Sequence, residues 1–474
     1  MTRYYQDDSV TLHHGDCLDV LRADDYGYDW NLGYRSARMF PDNSVDAVIT
    51  DPPYGIAFMG KAWDQPGEFG SARLRTGGEN KRRGHKDAAL NAGLYDLSPA
   101  AMLNFQRWCT AWATECLRIL KPGGHLLAFG GSRTWHRLAA AIEDAGFEIR
   151  DSIAWLYGSG FPKSLDVSKA IDRAAGAERE VVGRKTGRGA SAVCDMRGGR
   201  LVGGDSGGID CSAITAPATD AAKQWDGWGT ALKPAFEPIV VARKPLAGTV
   251  AANVLEYGTG ALNIDACRVE AHGRPLRVGD YKQTNSAVWG GRIDDTLKGG
   301  SKAAGKTDAG RWPTNVVLDE YQAEALDRQT GVLHSGTMRA GTDRQPRAGG
   351  TIYGADTRTF APADTYGDSG GASRFFPVFR YEAKAPTSER PNADGVQHPT
   401  VKPLDLMCWL VRLVTPMGAV VLEPFAGSGT TAEACVLEDR QCIAIEREAD
   451  YLPLIVSRLQ KPVQQGLFGL EAGA

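Results

Sequence analysis

The chain predicts an α/β fold built on a doubly wound, mostly parallel sheet, and three observations carry that expectation. Short apolar runs such as Val45-Asp46-Ala47-Val48-Ile49-Thr50, Gly418 to Leu422 and Cys442-Ile443-Ala444-Ile445 end in turn residues, as buried parallel strands do. Helical patterns alternate with the strand-like runs. A glycine turn, Leu422-Glu423-Pro424-Phe425-Ala426-Gly427-Ser428-Gly429-Thr430-Thr431, joins one strand to the helix-like Ala432 to Leu437. Glu446 closes the next strand at close to the spacing of about 20 at which an acid grips ribose hydroxyls in nucleotide-binding units.

Taken in order, the first strand, Val45 to Thr50, runs into the turn Asp51-Pro52-Pro53-Tyr54-Gly55. The polar, glycine-bearing stretch from Ile56 to Leu94 reads as a loop able to close over a ligand. Pro99 to Leu120 is helical and is stopped by Lys121-Pro122-Gly123-Gly124. His125 to Phe129 is the next strand, Thr134 to Ala145 a helix, and Ile149 to Tyr157 a further strand. Gly158 to Gly229 leaves the pattern, with helical character only from Ser164 to Ala175. Glu237 to Arg243 reads as a short strand, placed in the sheet as the antiparallel partner of Ile149 to Tyr157, which makes the preceding stretch an insertion. From Pro245 to Pro391 the periodic segment is Asn315 to Leu326; Gly, Ser, Thr and Asp dominate the rest. Leu404 to Val414 is a helix.

At 474 residues and 42% hydrophobic content the chain exceeds one typical domain, and two lobes are expected. A formal charge of −3 gives no global positive field, so contact with a polyanion must come from local clusters. Candidates are Lys81-Arg82-Arg83-Gly84-His85-Lys86 and the stretch from Arg184 to Arg200, each equally readable as a solvated loop. Nine cysteines without a Cys-x-x-Cys pair argue against a zinc site or disulfide framework and for a reducing compartment. No metal is expected. The start has no apolar signal region and no run approaches spanning length, so a cytoplasmic, membrane-free protein is expected.

The turn after the first strand has residue types suited to a poor nitrogen nucleophile. An exocyclic amine on a base has its lone pair delocalised into the ring, and acceptors gripping its N–H groups favour a pyramidal nitrogen. Asp51 offers a carboxylate and Pro52 a backbone carbonyl; the prolines stiffen the turn and aim that carbonyl outward. Tyr54 supplies a flat face for an extruded base. The bland alternative is a strand-ending Pro-Pro turn with a packed tyrosine. In the second turn, the glycines permit close ligand approach and the helix start presents N–H groups to an anion.

The order Gly15-Asp16-Cys17, Asp51-Pro52-Pro53-Tyr54, His398-Pro399-Thr400-Val401-Lys402-Pro403, Phe425-Ala426-Gly427-Ser428-Gly429-Thr430 resembles the β class of amino-directed DNA methyltransferases, which use S-adenosylmethionine. The resemblance covers about half of the chain, and the middle matches loosely. It implies a circularly permuted, seven-stranded Rossmann-like methyltransferase sheet with a large inserted target-recognition region. The catalytic half would span 1–157, an insertion 158–231, a core strand 232–244, target recognition 245–393, the cofactor half 394–460 and a tail 461–474. Asp51, Pro52, Pro53 and Tyr54 would be catalytic. Asp16 and Cys17 would sit at the cofactor adenine, Glu446 at the ribose, and Phe425, Gly427, Ser428, Gly429 and Thr430 along the cofactor turn, with Asp51 facing the cofactor as well. Lys402 resembles a partner for the methionyl carboxylate. Asp16 as a helix cap, Lys402 as a surface lysine and Phe425 as core packing stay open.

The implied activity is site-specific methyl transfer to adenine N6 in double-stranded DNA, with cytosine N4 as the alternative because both amines make similar demands. An aspartate opening the turn is more like the adenine-directed enzymes. A non-catalytic cofactor-binding DNA adaptor is the rival of another class. Aromatic and basic residues interleave at Trp225-Asp226-Gly227-Trp228, Tyr281-Lys282, Trp289-Gly290-Gly291-Arg292, Arg311-Trp312 and Arg374-Phe375-Phe376, which suits phosphate clamping or small satellite cores. Homodimers are common in the resembling class, though no heptad predicts an interface. Glu382-Ala383-Lys384 has a nuclease-like spacing without a matching upstream acid and reads as an exposed edge. The tail Gln464 to Leu470 is similar to peptides that dock on bacterial replication clamps, and also to a plain packing tail.

Overall fold

The computed structural model describes residues 2–29, 33–56, 64, 97–158, 164–184, 193–194, 209–210, 213–271, 274–278, 302–334, 368–380, 396, 398 and 400–460. Its frame is a ten-stranded sheet built from β1 (Thr2–Gln6), β2 (Val10–His14), β3 (Val45–Thr50), β4 (Leu120–Phe129), β5 (Glu148–Leu156), β6 (Phe236–Arg243), β7 (Val316–Asp319), β8 (Val378–Phe379), β9 (Val420–Glu423) and β10 (Gln441–Glu446). In space they run β1-β2-β10-β9-β3-β4-β6-β5-β7-β8. From β2 to β4 every pairing is parallel. β6 is antiparallel to both β4 and β5, as the sequence predicts for β5.

Of the seven strands from β2 to β5, six match runs that read as strands in the sequence and β2 does not; three more extend the sheet. β1 is short and mostly exposed, so no apolar pattern announced it, and it pairs antiparallel with β2. β7 and β8 add parallel strands beyond β5, from within the region assigned to target recognition. The run Asn315 to Leu326 looked like one periodic segment because a strand and a helix abut there without a spacer. Asp319 ends β7 and caps the helix Glu320–Thr330, accepting N–H groups from Gln322 and Gly158, both at 2.7 Å.

Both faces of the sheet are covered, as buried parallel strands require. α1 (Cys17–Leu21), α2 (Pro99–Ile119) and α3 (Trp135–Asp144) lie on the side of Val45, Val48 and Leu126. α2 starts at a Ser98 cap with proline in its first turn and buries Phe105, Cys109, Trp112, Cys116 and Ile119, a stripe at helical spacing. The opposite face, with Ala47, Ile49 and Leu127, is covered by α4 (Leu404–Val414). α5 (Thr430–Leu437) follows the glycine turn and α6 (Leu452–Leu459) follows β10.

Two further departures have local causes. Lys121 to Gly124, expected only to stop α2, lies inside β4; Gly123 takes φ +77°, so the chain turns there and re-enters the strand. The insertion holds more than its early helix Val167–Ala174: Val181–Arg184 pairs with Ala213–Thr215, and Asp220–Gln224 is a second helix. The buried Asp172 joins these pieces by accepting from Arg179, Ala218 and Thr219. Asp24–Asp29 and Gly33–Arg38 form an antiparallel hairpin that was not expected. Among the described residues no helix is long and apolar enough to cross a membrane.

Candidate active site

β9 and β3 are neighbours at the point where the strand order reverses, and each ends in one of the two proline-containing turns. Crevices at such switch points are where open α/β sheets hold ligands. Glu423 ties the turns together. One carboxylate oxygen accepts the Thr50 hydroxyl at 2.5 Å and the Phe425 N–H at 3.0 Å, and the other accepts the Thr431 hydroxyl at 2.6 Å. Burial pushes the Glu423 carboxyl up to about 8. A cleft of about 1380 Å³ opens above and is lined by Asp16, Asp51 to Tyr54, Lys402, Phe425, Gly427, Ser428, Thr430 and Glu446, among others.

On the β3 side four polar groups converge. Lys402 Nζ lies 2.8 Å from Asp51 Oδ2, 3.2 Å from Glu237 Oε2 and 3.1 Å from the Tyr54 hydroxyl oxygen. The Tyr54 hydroxyl donates to Asp51 Oδ1 at 2.8 Å, with Glu237 at 3.3 Å. The ammonium also faces the Phe129 ring, 4.8 Å from its centroid. Burial opposes the Lys402 charge, but the adjoining Asp51 and Glu237 carboxylates outweigh it and hold its pKa above the ordinary lysine value. Burial raises the Glu237 carboxyl against the pull of Lys402. Burial, then the neighbouring Asp51 and Glu237 charges, push the Tyr54 hydroxyl well up, so it is a donor and not a phenolate. The turn is braced from outside: Thr134 donates to the Tyr54 carbonyl at 2.9 Å, and Asp64 accepts from Gly55 N–H at 2.7 Å.

The β9 side holds a carboxylate, an aromatic ring and the glycine turn. Glu446 accepts N–H groups from Gly427 and Glu448, both at 2.7 Å, and burial lifts its carboxyl to about 7. Phe425 is only partly buried and is held by Trp108 and Trp112, each with a centroid 5.5 Å away. Gly427 and Gly429 adopt φ +52° and +77°, and a Cβ on them would meet His398 and Ile455 at 3.2 and 3.0 Å. The glycines therefore serve the turn's own packing, and Gly427 also lines the cleft. Asp16 caps α1 through Leu18 N–H at 2.9 Å and also lines the cleft.

Lys402, expected to partner the methionyl carboxylate, lines the cleft and is paired with Asp51 and Glu237 within the protein. Sequence reasoning missed Glu237, Glu423 and the Trp108–Trp112 pair. Glu237 looked like the edge of an apolar strand, and its meeting with Tyr54 depends on β6 lying between β4 and β5. Among the candidate polyanion contacts, Trp225 and Trp228 form an edge-on pair 4.9 Å apart and stay exposed. Arg311 is engaged by the Asp368 carboxylate and by the carbonyls of Glu270 and Arg374 at 3.1 Å. Lys81, Arg82, Arg83, Arg292, Tyr281, Lys282, Trp289, the Glu382 to Lys384 segment and the tail Gln464 to Leu470 lie outside the described residues, as does nearly all of the loop 56–94. Among the described residues no group of His, Cys, Asp or Glu has a metal-holding arrangement, and Cys17, Cys109, Cys116, Cys267, Cys408, Cys435 and Cys442 are buried and free.

A family model described as DNA methylase matches residues 45–457. The Type II methyltransferase M.HindIII of Haemophilus influenzae is 29% identical over 232 residues, 47% of this chain and 59% of its own length. M2.MboI of Moraxella bovis, also a Type II methyltransferase, is 47% identical over 58 residues, covering 12% of this chain and 21% of that protein. The chain thus spans less than two thirds of these curated relatives. Among solved structures, M1.HpyAVI in complex with SAM overlaps 95% of this chain and 99% of its own at 14% identity and TM-score 0.35. The PvuII cytosine-N4-specific DNA methyltransferase overlaps 96% and 88% at 12% identity and TM-score 0.39.

Proposed function

The chain belongs to the N6/N4 DNA methylase family, and from that premise we propose that it moves a methyl group from S-adenosylmethionine to adenine N6 of a base swung out of double-stranded DNA. One observation carries the reading: Glu423 hydrogen-bonds Thr50 and Thr431, so the amine-gripping turn and the glycine turn, far apart in sequence, open into one cleft.

The residues present fit the cofactor. Glu446 keeps acceptor capacity beyond its two N–H bonds and faces the cleft, as a ribose diol needs. The Phe425 ring, fixed by two tryptophans, offers an aromatic face suited to a sulfonium. Bound there, S-adenosylmethionine supplies an electrophilic methyl group. Asp51 and the Pro52 carbonyl orient the target amine, and Tyr54 gives the base a stacking face. Acidic oxygens of Asp51 and Glu237 lie beside the amine-gripping turn, where they favour positive charge developing on nitrogen, and Lys402 bridges the two side chains. The gain is in positioning and electrostatics.

In this reading the insertion 158–231 and much of 245–393 select the DNA site, apart from β7 and β8. Association with a replication clamp through Gln464 to Leu470, and a homodimer, belong to the same proposal. Asp51→Ala should reduce methyl transfer by about 10³-fold while leaving much of the cofactor affinity. Tritium transfer to varied DNA, with mass spectrometry of the hydrolysate, reads both rate and product. Transfer by Asp51→Ala at the wild-type rate refutes the role. N4-methylcytosine as product replaces the base assignment, and cofactor binding without transfer by the wild type favours a non-catalytic adaptor.

A further inference from the structure

We propose that Leu232 is the side chain that enters the duplex when the target nucleotide leaves it, occupying the gap in the base stack; this rests on the reading of the site as one that methylates an extruded base. The segment Thr230 to Glu237 forms one wall of the cleft. Its far end, Glu237, touches the Tyr54 hydroxyl that faces the amine-gripping turn. Near its start Leu232 is 92% exposed, although apolar. Such a side chain gains nothing for the fold from its position in water.

The backbone that carries it is nonetheless held on both sides. Ser164 Oγ accepts N–H groups from Thr230 at 2.9 Å and Ala231 at 3.2 Å, and Leu165 N–H donates to Thr230 Oγ1 at 3.0 Å. Beyond Leu232, Lys233 Nζ donates to the Gly158 carbonyl at 2.6 Å and the Ala235 carbonyl accepts from Tyr157 N–H at 3.0 Å. A leucine presented from an anchored strap is a preorganised projection, and little freedom is lost when it inserts.

The chemistry of the occupant follows. The interior of a base stack is apolar and flat, and proteins that open it use Phe, Leu, Ile, Met or Pro as wedges. Leu97 and Phe236 also line the cleft, but both are more covered, at 37% and 36% exposed. Trp228 is 60% exposed but is absent from the cleft wall and leans on Trp225. Leu232 combines cleft position, exposure and a fixed backbone.

The wedge predicts an interaction between the residue and the strength of the pair it helps to open. The methylated site is first mapped by base-resolution sequencing of DNA from cells making the wild-type chain. Wild type and Leu232→Ala are then compared on a matched duplex carrying that site and on one mismatched opposite the target base. Leu232→Ala should lower kcat/KM about tenfold on the matched duplex and less than about threefold on the mismatched one, where opening is already easy. Leu232→Phe should restore most of the loss, and cofactor affinity should not move in either variant. An equal loss on both duplexes, or no loss on the matched one, overturns the wedge. Absence of methyl transfer by the wild type on any DNA overturns the methyltransferase reading, and the wedge with it.

Discussion

Glu446 holds a backbone N–H on each carboxylate oxygen, yet burial lifts its carboxyl to about 7 from an ordinary value near 4.5. A ribose diol donates hydrogen bonds, so the ionised form is the one that binds well. Binding should therefore release a proton below about pH 7, and affinity for S-adenosylmethionine should rise with pH until that value and level off above it. Calorimetry from pH 6 to 8.5 checks the slope, and Glu446→Gln should flatten it while weakening binding. A flat wild-type profile would remove the ribose assignment. At this scale the sequence revealed the groups that announce themselves by pattern: Asp51 and Tyr54 after a β-branched run, and Glu446 at nucleotide-binding spacing. It did not reveal Glu237 or the placement of Lys402, because their partners are set by which strands lie side by side.

α2 carries packing and function together. Trp112 is fully buried among Phe105, Cys109 and Cys116 and meets Phe425 edge-on, so the helix that covers the sheet also backs the aromatic face of the cleft. Trp112→Ala should cost about 3–5 kcal/mol of stability by urea unfolding, the range for truncating a buried large aromatic. It should also weaken cofactor binding several-fold, whereas a core substitution remote from Phe425, such as Ile142→Ala in α3, should cost stability alone. Equal effects of the two variants on binding would uncouple the helix from the site. Elements with a clear period were legible: α2, α4, β3 and the antiparallel β6 fall close to their expected spans. Those lost to the sequence reading had no pattern of their own. β1 is short and exposed, and β7 ran straight into a helix whose cap, Asp319, also bonds Gly158 across the fold.

The segment 245–393, proposed to select the DNA site, is not separate from the sheet, because it contributes β7 and β8 to the sheet edge. Its first helix, Val250–Tyr257, is also clasped to the core: Asn253 donates to the Pro122 carbonyl at 2.9 Å, beside the bend in β4. Removing the whole region should unfold the chain. A smaller piece is built to be removed. Val269 and Arg311 exchange backbone hydrogen bonds at 3.0 and 2.6 Å, and Trp409 of α4 donates to the Cys267 carbonyl at 3.4 Å, which fixes the base of a neck. Above it Arg274–Val278 pairs antiparallel with Lys302–Thr307, so the chain leaves and returns through adjacent residues. Replacing 274–307 by a two-residue Asn-Gly turn should leave the neck closed, since a short turn joins ends already paired. We expect the melting temperature to move by no more than about 3 °C and cofactor affinity by no more than about twofold, because neither the sheet nor the cleft loses a residue. Methylation should lose its sequence selectivity or fall on double-stranded DNA, because groove contacts set the site and positioning depends on them. Scanning calorimetry and sequencing of methylated DNA read the two halves of this outcome. A shortened chain that methylates the same site at the same rate would place recognition outside 274–307.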